Sequence, residues 1–219
     1  MIFLSYTLHP KTPSYGNRNA FKIEKQSSIT QGGTANDSTI TTTVHIGTHL
    51  DMPYHFFEDG QTIESYDADF FSFTKILFLE VQTKASIIKD ELIDLLQNIE
   101  DKSYEILIVK TGACNYRNDQ QYWERNYGFH PDIYDVIVKK FPDIRIFGFD
   151  TISVSSFQHR DIGKEAHKRF LNPNKPILLL EDMDLTQVDA YTNFSSIIIA
   201  PLRIEQCDGL PCTVMATLA

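Results

Sequence analysis

The segment VHIGTHLDMPYHF, residues 44–56, places three histidines and one aspartate within eleven positions. The residues before it, 39–44, are threonines with isoleucine and valine, and such β-branched side chains favour an extended strand. Gly47 and Pro53 disfavour a helix through the segment. We therefore expect a strand that bends, around which the rest of the chain is organised.

The four polar side chains of this segment start on one face of the strand. His45, His49, Asp51 and His55 are all odd-numbered, and alternate residues of an extended chain share a face. In a straight strand His45 and His49 would lie roughly 13 Å apart, whereas two ligands of one metal ion need donor atoms within about 3–4 Å. The backbone must therefore curl, and Gly47 is the residue that permits the curl.

Imidazole nitrogens and carboxylate oxygens together form a donor set for zinc, manganese or iron, and one carboxylate can bridge two ions. The alternative is that histidines beside a Gly-Pro bend only cap backbone groups. That alternative is reasonable for any single histidine of the segment. Four such side chains of the same parity favour a metal site instead.

The pattern His-x-Gly-Thr-His-x-Asp-x-Pro-x-His over residues 45–55 resembles the signature of the Putative cyclase family of metal-dependent hydrolases. Its best-known members are the bacterial kynurenine formamidases, and isatin hydrolase is a relative. The resemblance implies that His45, His49 and Asp51 are metal ligands, with Asp51 bridging two divalent ions, zinc or manganese. It implies that His55 is the general acid/base. It also implies an α/β fold of the swivelling β/β/α architecture, with a mixed central sheet, in a homodimer or homotetramer.

Two downstream residues resemble the family's second pair of metal ligands in their local contexts. They are His167, in AHKRFL, and Glu181, in LEDMDL. His159 is the alternative histidine, but its neighbours do not match the family pattern. In the loop after the first strand the formamidases usually carry a tryptophan that lines the substrate pocket, and Tyr15 matches that place best. This departure weakens the inference that the substrate is N-formylkynurenine, because a phenol is smaller and offers a different hydrogen bond.

Composition argues against several classes of protein. At 219 residues and 25.1 kDa, with 42% hydrophobic residues, the chain fits one α/β domain over residues 1–219. A formal charge of -9 and the lack of a Lys/Arg cluster argue against nucleic acid as a partner. No apolar run approaches the roughly 18 residues of a membrane span, and the first residues do not resemble a signal peptide. We therefore expect a cytoplasmic protein, without a membrane or nucleic-acid partner, that acts on a small molecule.

Hydrophobic periodicity predicts strands that alternate with helices through the middle of the chain, which indicates an α/β fold. The predicted strands lie at residues 2–8, 75–81, 105–110, 144–149, 176–180, 196–204 and 212–218. Helices are predicted from Ser86 onwards and at residues 131–140 and 163–171. Thr111, Asp150 and Glu181 follow strands, and ligands collect beyond the carboxyl ends of strands in such sheets, so these three could face one cleft. Residues 200–211 also resemble the family's last strand pair.

These observations predict a metal-dependent hydrolase that cleaves a C–N bond of a small amide. Arylformamidase of the N-formylkynurenine type is the activity best supported, and a hydrolase of a cyclic amide or lactone, similar to isatin hydrolase, is the next. Three other classes stay open. They are a thiol amidase using Cys114, which has no histidine partner nearby in the sequence, a cupin-like iron oxygenase with one metal, and a metal-binding protein without catalysis.

Overall fold

The computed structural model describes residues 1–18 and 20–219, within which it has thirteen β-strands and four α-helices. The strands are β1 (Ile2–Phe3), β2 (Lys22–Ser27), β3 (Asp37–Thr41), β4 (His49–Asp51), β5 (Ser72–Phe73), β6 (Ile76–Glu80), β7 (Ile87–Ile88), β8 (Ile106–Lys110), β9 (Gly128–Phe129), β10 (Ile146–Phe149), β11 (Leu178–Glu181), β12 (Phe194–Pro201) and β13 (Gly209–Leu218). The helices are α1 (Asp90–Gln97), α2 (Gln121–Glu124), α3 (Asp132–Lys140) and α4 (Arg160–Phe170). No helix of the described ranges combines the length and the apolar character that crossing a membrane requires.

Nine of the strands in the described part of the chain form one sheet. Its order is β5-β12-β13-β4-β11-β10-β8-β6, and β1 pairs with β13. Strands β6, β8, β10 and β11 are parallel to their neighbours within this group, whereas β4 lies between β11 and β13 and is antiparallel to both. The remaining strands form the hairpin β2–β3 and the short pair β7–β9. The central sheet is therefore mixed, which confirms the predicted fold class.

The residues of β8, β10 and β11 alternate between two hydrophobic cores, because side chains of a strand point to opposite faces in turn. The first core, shared with β4, β12 and β13, includes Ile106, Ile108, Ile146, Leu178 and Leu180. The second core, which α1, α3 and α4 cover, includes Leu107, Val109, Phe147, Phe149 and Leu179. Both faces of these three strands are covered, so the strands rigidly support the residues at their carboxyl ends, including Glu181 of β11.

Two predicted helix starts differ from the structure. Helix α1 begins at Asp90 rather than at Ser86, because residues 87–88 pair with β9 instead of starting the helix. Helix α4 begins before Gly163, the predicted start, and passes so close to Ser155 that any side chain at Gly163 would collide with it. This glycine therefore lets α4 pack against the segment that follows β10.

A buried ion pair lies beside the end of β11. The Nε and Nη2 atoms of Arg117 donate to the two carboxylate oxygens of Asp182 at 2.7 and 2.5 Å, and both side chains are buried. The Tyr122 hydroxyl also donates to Asp182, and the guanidinium of Arg117 lies 3.8 Å from the ring centroid of Tyr6. Because Asp182 directly follows Glu181, these contacts hold the carboxyl end of β11 in place.

Removing the charge of Arg117 should destabilise the fold. The substitution Arg117→Ala leaves Asp182 buried without its counter-ion, and loss of one partner of a buried pair costs about 3–5 kcal/mol. Arg169→Ala is the matched control, since Arg169 contacts Asp135 on the exposed surface, where an ion pair contributes about 0–1 kcal/mol. Urea unfolding should show the large loss for Arg117→Ala alone, and equal losses in both variants would contradict this account.

Candidate metal centre

The central strand β4 directs His49 and Asp51 to one face of the sheet and Leu50 to the other. In the register of β4 with β11, His49 lies opposite Glu181. In the register of β4 with β13, Asp51 lies opposite Gly209. The side chains of His49, Asp51 and Glu181 are all buried. Strand pairing therefore collects groups that lie far apart in the sequence.

A bend at Gly47 adds His45 to this group. Gly47 has a φ of 61°, a left-handed conformation that glycine adopts without steric cost. The ring centroids of His45 and His49 are 5.2 Å apart, far closer than the roughly 13 Å of a straight strand. His55 follows in a short turn, and its ring centroid lies 4.1 Å from that of His45. The bend has the position and the effect that the sequence predicts.

Backbone carbonyl groups set the ring orientation of His49 and His167. The Nδ1 atom of His49 is 2.8 Å from the carbonyl oxygen of Gly47, and the Nδ1 atom of His167 is 2.9 Å from that of Gly163. A carbonyl oxygen only accepts hydrogen bonds, so each Nδ1 carries a proton. In the neutral ring each Nε2 is then unprotonated, which is the form that binds a metal ion.

Both of these Nε2 atoms face the carboxylates of Asp51 and Glu181. For His49, Nε2 is 3.4 Å from Asp51 Oδ1 and 3.5 Å from Glu181 Oε2. For His167, Nε2 is 3.4 Å from Asp51 Oδ2 and 3.8 Å from Glu181 Oε1. These separations exceed the range of about 2.7–3.2 Å for N–H···O hydrogen bonds. They are close to the separation of about 3.4 Å between two ligands that each lie about 2.1 Å from one tetrahedral ion.

Two atoms of this cluster are buried without a hydrogen-bond partner among the described residues. They are Nε2 of His49 and Oδ2 of Asp51. An unsatisfied buried polar group costs about 1–3 kcal/mol, and more when it is charged. The ligand atoms of His49, Asp51 and Glu181 all lie within 4.8 Å of one another. Unsatisfied atoms, imidazole nitrogens and carboxylates in this arrangement fit a divalent cation.

The electrostatics of the cluster also favour a cation. Burial opposes ionisation of Asp51, but the contacts of Asp51 with His45 and His167 hold its pKa well below the usual range. Burial and the neighbouring charge of Asp51 raise the pKa of Glu181 to about 8. Burial opposes protonation of His45, but Asp51 and Asp208 outweigh it and raise the pKa of His45 to about 10. The carboxylates therefore attract positive charge. Protons on His45 and Glu181 compensate part of the negative charge, and a divalent ion would compensate the rest.

Asp208 also belongs to the site, and the sequence analysis did not find it. Its Oδ2 atom lies 2.8 Å from Nε2 of His45 and 3.2 Å from Nδ1 of His55. The hydrogen bond with His45 lowers the pKa of Asp208 to about 2, so the carboxylate is ionised at neutral pH. Asp208 directly precedes β13, and the pairing of β13 with β4 brings it to the bend. The signal available in the sequence was the Asp-Gly pair within residues 200–211.

The predicted site residues all line one cavity of about 490 Å³. They are Tyr15, His45, His49, Asp51, His55, His167 and Glu181. The hydroxyl of Tyr15 donates to the carbonyl oxygen of Ser156 at 3.4 Å, which places the ring at the wall of the cavity. His159, the alternative to His167, is exposed and lies just before α4.

Asp150 and Thr111 do not share this cavity, contrary to the expectation that they could face one cleft with Glu181. The carboxylate of Asp150 accepts hydrogen bonds from the backbone N–H groups of Thr111, Gly112 and Cys114 and from the Thr111 hydroxyl. Asp150 therefore stabilises the turn after β8. Of the three residues, Glu181 lines the cavity.

The family model described as Putative cyclase matches residues 2–156 of the chain. The chain belongs to the Putative cyclase family. The match contains the whole His-x-Gly-Thr-His-x-Asp-x-Pro-x-His pattern, and His167 and Glu181 lie beyond it. This result confirms the family resemblance of the sequence.

Curated relatives of this cyclase-family chain include kynurenine formamidases of several Bacillus species. The enzyme of Bacillus cereus is 26% identical over 210 residues, which cover 96% of this chain and 93% of the relative. The enzyme of Bacillus anthracis is 26% identical over 211 residues, with the same shares covered. Alignments of this extent include the segments of His167 and Glu181.

Solved structures show the same fold. Isatin hydrolase A from Labrenzia aggregata, bound to benzyl benzoate, has a TM-score of 0.78 at 21% identity, covering 98% of this chain and 92% of that one. A protein described as a predicted metal-dependent hydrolase from Bacillus stearothermophilus has a TM-score of 0.74 at 20% identity, covering 98% and 96%. With the family match and the formamidase relatives, the chain is a metal-dependent hydrolase of the cyclase family.

Loss of the Asp208 carboxylate should weaken metal binding. Groups that hydrogen-bond to ligating histidines typically contribute about 10–100-fold to metal affinity or activity, so Asp208→Ala should lose metal at correspondingly lower chelator concentration. Asp208→Asn keeps an acceptor oxygen and should lose less. Glu205→Ala, which removes an exposed carboxylate of the same loop, is the control. The metal content of all three variants is measured after dialysis against graded concentrations of chelator. If Asp208→Ala keeps the metal affinity of the wild type, Asp208 does not support the metal site.

The thiol of Cys114 should be inert. Burial, together with the charge of Asp150, raises the pKa of Cys114 to about 12, so the thiol is protonated at about pH 8, where alkylation needs the thiolate. We expect iodoacetamide to leave Cys114 of the native protein unmodified and the hydrolytic activity of the protein unchanged. After the protein is unfolded in urea, the reagent should label Cys114. Mass spectrometry locates the label. Inactivation that follows alkylation of Cys114 would instead favour the thiol amidase.

Proposed function

We propose that the chain hydrolyses the C–N bond of a small aromatic amide, with an aryl formamide of the N-formylkynurenine type as the best candidate. The observation that carries this proposal is the buried pair Asp51 and Glu181, whose oxygens are divided between His49 on one side and His167 on the other. The formamidases aligned over 96% of the chain support the choice of substrate. Because the site draws groups from Tyr15 through to Asp208, we treat residues 1–219 as one catalytic domain.

We infer that Asp51 and Glu181, together with His45, His49 and His167, would hold two divalent ions, zinc or manganese. Such ions, when bound, lower the pKa of a coordinated water from about 15.7 towards about 7 and polarise a carbonyl group. Mixed imidazole and carboxylate ligands suit both metals.

His55 is the residue in position to move the proton. Burial lowers the pKa of His55, so the ring is neutral near pH 7 and can accept a proton. The Nδ1 atom of His55 lies 3.2 Å from the ionised carboxylate of Asp208, and an N–H there leaves Nε2 as the basic nitrogen. After it has taken a proton from the attacking water, His55 delivers the proton to the departing amine.

A cyclic amide or a lactone is the second candidate substrate. Opening such a ring requires the same two steps, attack of water on the carbonyl carbon and protonation of the atom that leaves. The likeness to isatin hydrolase A supports this candidate through the fold alone.

Metal content and hydrolysis of N-formylkynurenine, measured on the same preparations, test the proposal. The wild-type chain should hold close to two ions and release formate and kynurenine. His49→Ala should lose bound metal, and its turnover should fall by about 100-fold or more, because metal ions contribute several kcal/mol to such reactions. His159→Ala is the control, since the exposed His159 should be replaceable without effect on either quantity.

Each other outcome has a distinct meaning. Two ions without turnover of N-formylkynurenine would direct the search to cyclic amides, lactones and other formamides. Bound metal without turnover of any of these compounds would indicate a metal-binding protein without catalysis. A wild-type chain that binds no divalent metal, even after incubation with zinc or manganese, would refute the mechanism.

A further inference from the structure

The open end of the cavity is positively charged, although the chain as a whole is acidic. Arg18, Arg160 and Lys164 line the same cavity as the metal-site residues but are exposed to solvent. The formal net charge of the chain is -9. Ion pairs of lysine and arginine in the described part of the chain involve other residues, namely Lys89, Lys110, Arg117, Arg145 and Arg169. The three cations at the cavity are therefore not neutralised by ion pairs of that kind.

Helix α4 carries two of these cations on the face that carries His167. Arg160, Lys164 and His167 stand at positions i, i+4 and i+7, which share one side of a helix. At 1.5 Å per residue, Lys164 lies about 5 Å and Arg160 about 10 Å from His167 along the helix axis. The helix therefore sets a distance between the metal-binding end of the cavity and its charged end.

Aromatic rings hold the two arginines beside the cavity. The guanidinium carbon of Arg160 lies 4.3 Å from the ring centroid of Phe157, and Phe157 meets Tyr15 edge to face at 5.4 Å. The guanidinium carbon of Arg18 lies 5.8 Å from the ring centroid of the same Tyr15. Contact with a ring face orients a guanidinium without neutralising its charge. The side chain of Arg160 also hydrogen-bonds to Tyr15, and its remaining in-plane donors can bind a ligand.

We propose that Arg160, Lys164 and Arg18 form a subsite for a carboxylate of the substrate, at the open end of the cavity that the candidate metal site also lines. The inference rests on the proposed hydrolase function and adds the residues that would recognise the carboxylate of the substrate's side chain. A guanidinium binds a carboxylate through two parallel hydrogen bonds, and an ammonium adds a point charge. Asp161 also lines the cavity, but three cations outnumber it, so the subsite selects an anion.

A pair of substrates that differ only in the carboxylate tests this subsite. N-formylkynurenine carries the carboxylate, and N-formylkynurenamine lacks it. Wild type should show the higher kcat/KM for N-formylkynurenine, and the double variant Arg160→Gln, Lys164→Gln should lose about ten-fold or more of that preference, mainly through KM. Lys168→Gln, which removes an exposed charge of α4 that does not line the cavity, should keep the preference of wild type.

Binding of the products separates this inference from the proposed function. Kynurenine and kynurenamine differ in the same carboxylate, and calorimetry measures their affinities without turnover. Wild type should bind kynurenine more tightly, and the preference should fall about ten-fold in the double variant and decline as ionic strength rises. Equal binding, no binding of either compound, or a preference that survives both substitutions overturns the subsite. A carboxylate preference in binding without hydrolysis of either formamide overturns the arylformamidase candidate and leaves the subsite standing.

Discussion

Two carboxylates buried on adjacent strands are the constraint on which the rest of the structure depends. Asp51 and Glu181 lie in the interior of the sheet, where little water is available to screen their charges. Burial and repulsion raise the pKa of Glu181, and Asp51 stays ionised only because histidines surround it. Such a pair persists where positive charge lies close to both groups. The ring orientations of His49 and His167 direct both Nε2 atoms at the pair, where a cation bound between these groups would supply that charge.

The mixed sheet supplies the rigidity that this arrangement needs. Strand β4 contributes only three residues, yet it is paired on both edges, and its Leu50 is buried in the first core. On the far side of β11, parallel strands covered on both faces keep the end of that strand from moving. The ion pair of Arg117 with Asp182 holds the residue next to Glu181. This support holds the side chains of His49, Asp51 and Glu181 in fixed positions.

The cavity has two ends of different character. At the closed end, paired strands hold the histidines and carboxylates of the candidate metal site. At the open end, Arg18 follows a loop turn and Arg160 begins a helix, and residues in such places can be exchanged without disturbing the sheet. The chain is only 26% identical to a formamidase over 96% of its length, which is compatible with a retained closed end and an exchanged open end. The proposed subsite therefore assigns substrate specificity to exposed side chains at the open end rather than to the strands of the sheet.

The amino-acid sequence by itself determined the local part of the site and the class of fold. The pattern of residues 45–55 predicts the clustered side chains because these residues are close in the chain and one bend at Gly47 brings them together. Apolar runs and periodicity predict the buried strands for the same local reason. Only the tertiary structure showed that Asp208 reaches His45, since that contact depends on the register of β13 against β4. The tertiary structure also showed that α1 begins at Asp90 rather than at Ser86, because residues 87–88 pair with β9. Periodicity and bends depend on neighbours in the chain, whereas register depends on the packing of the whole sheet.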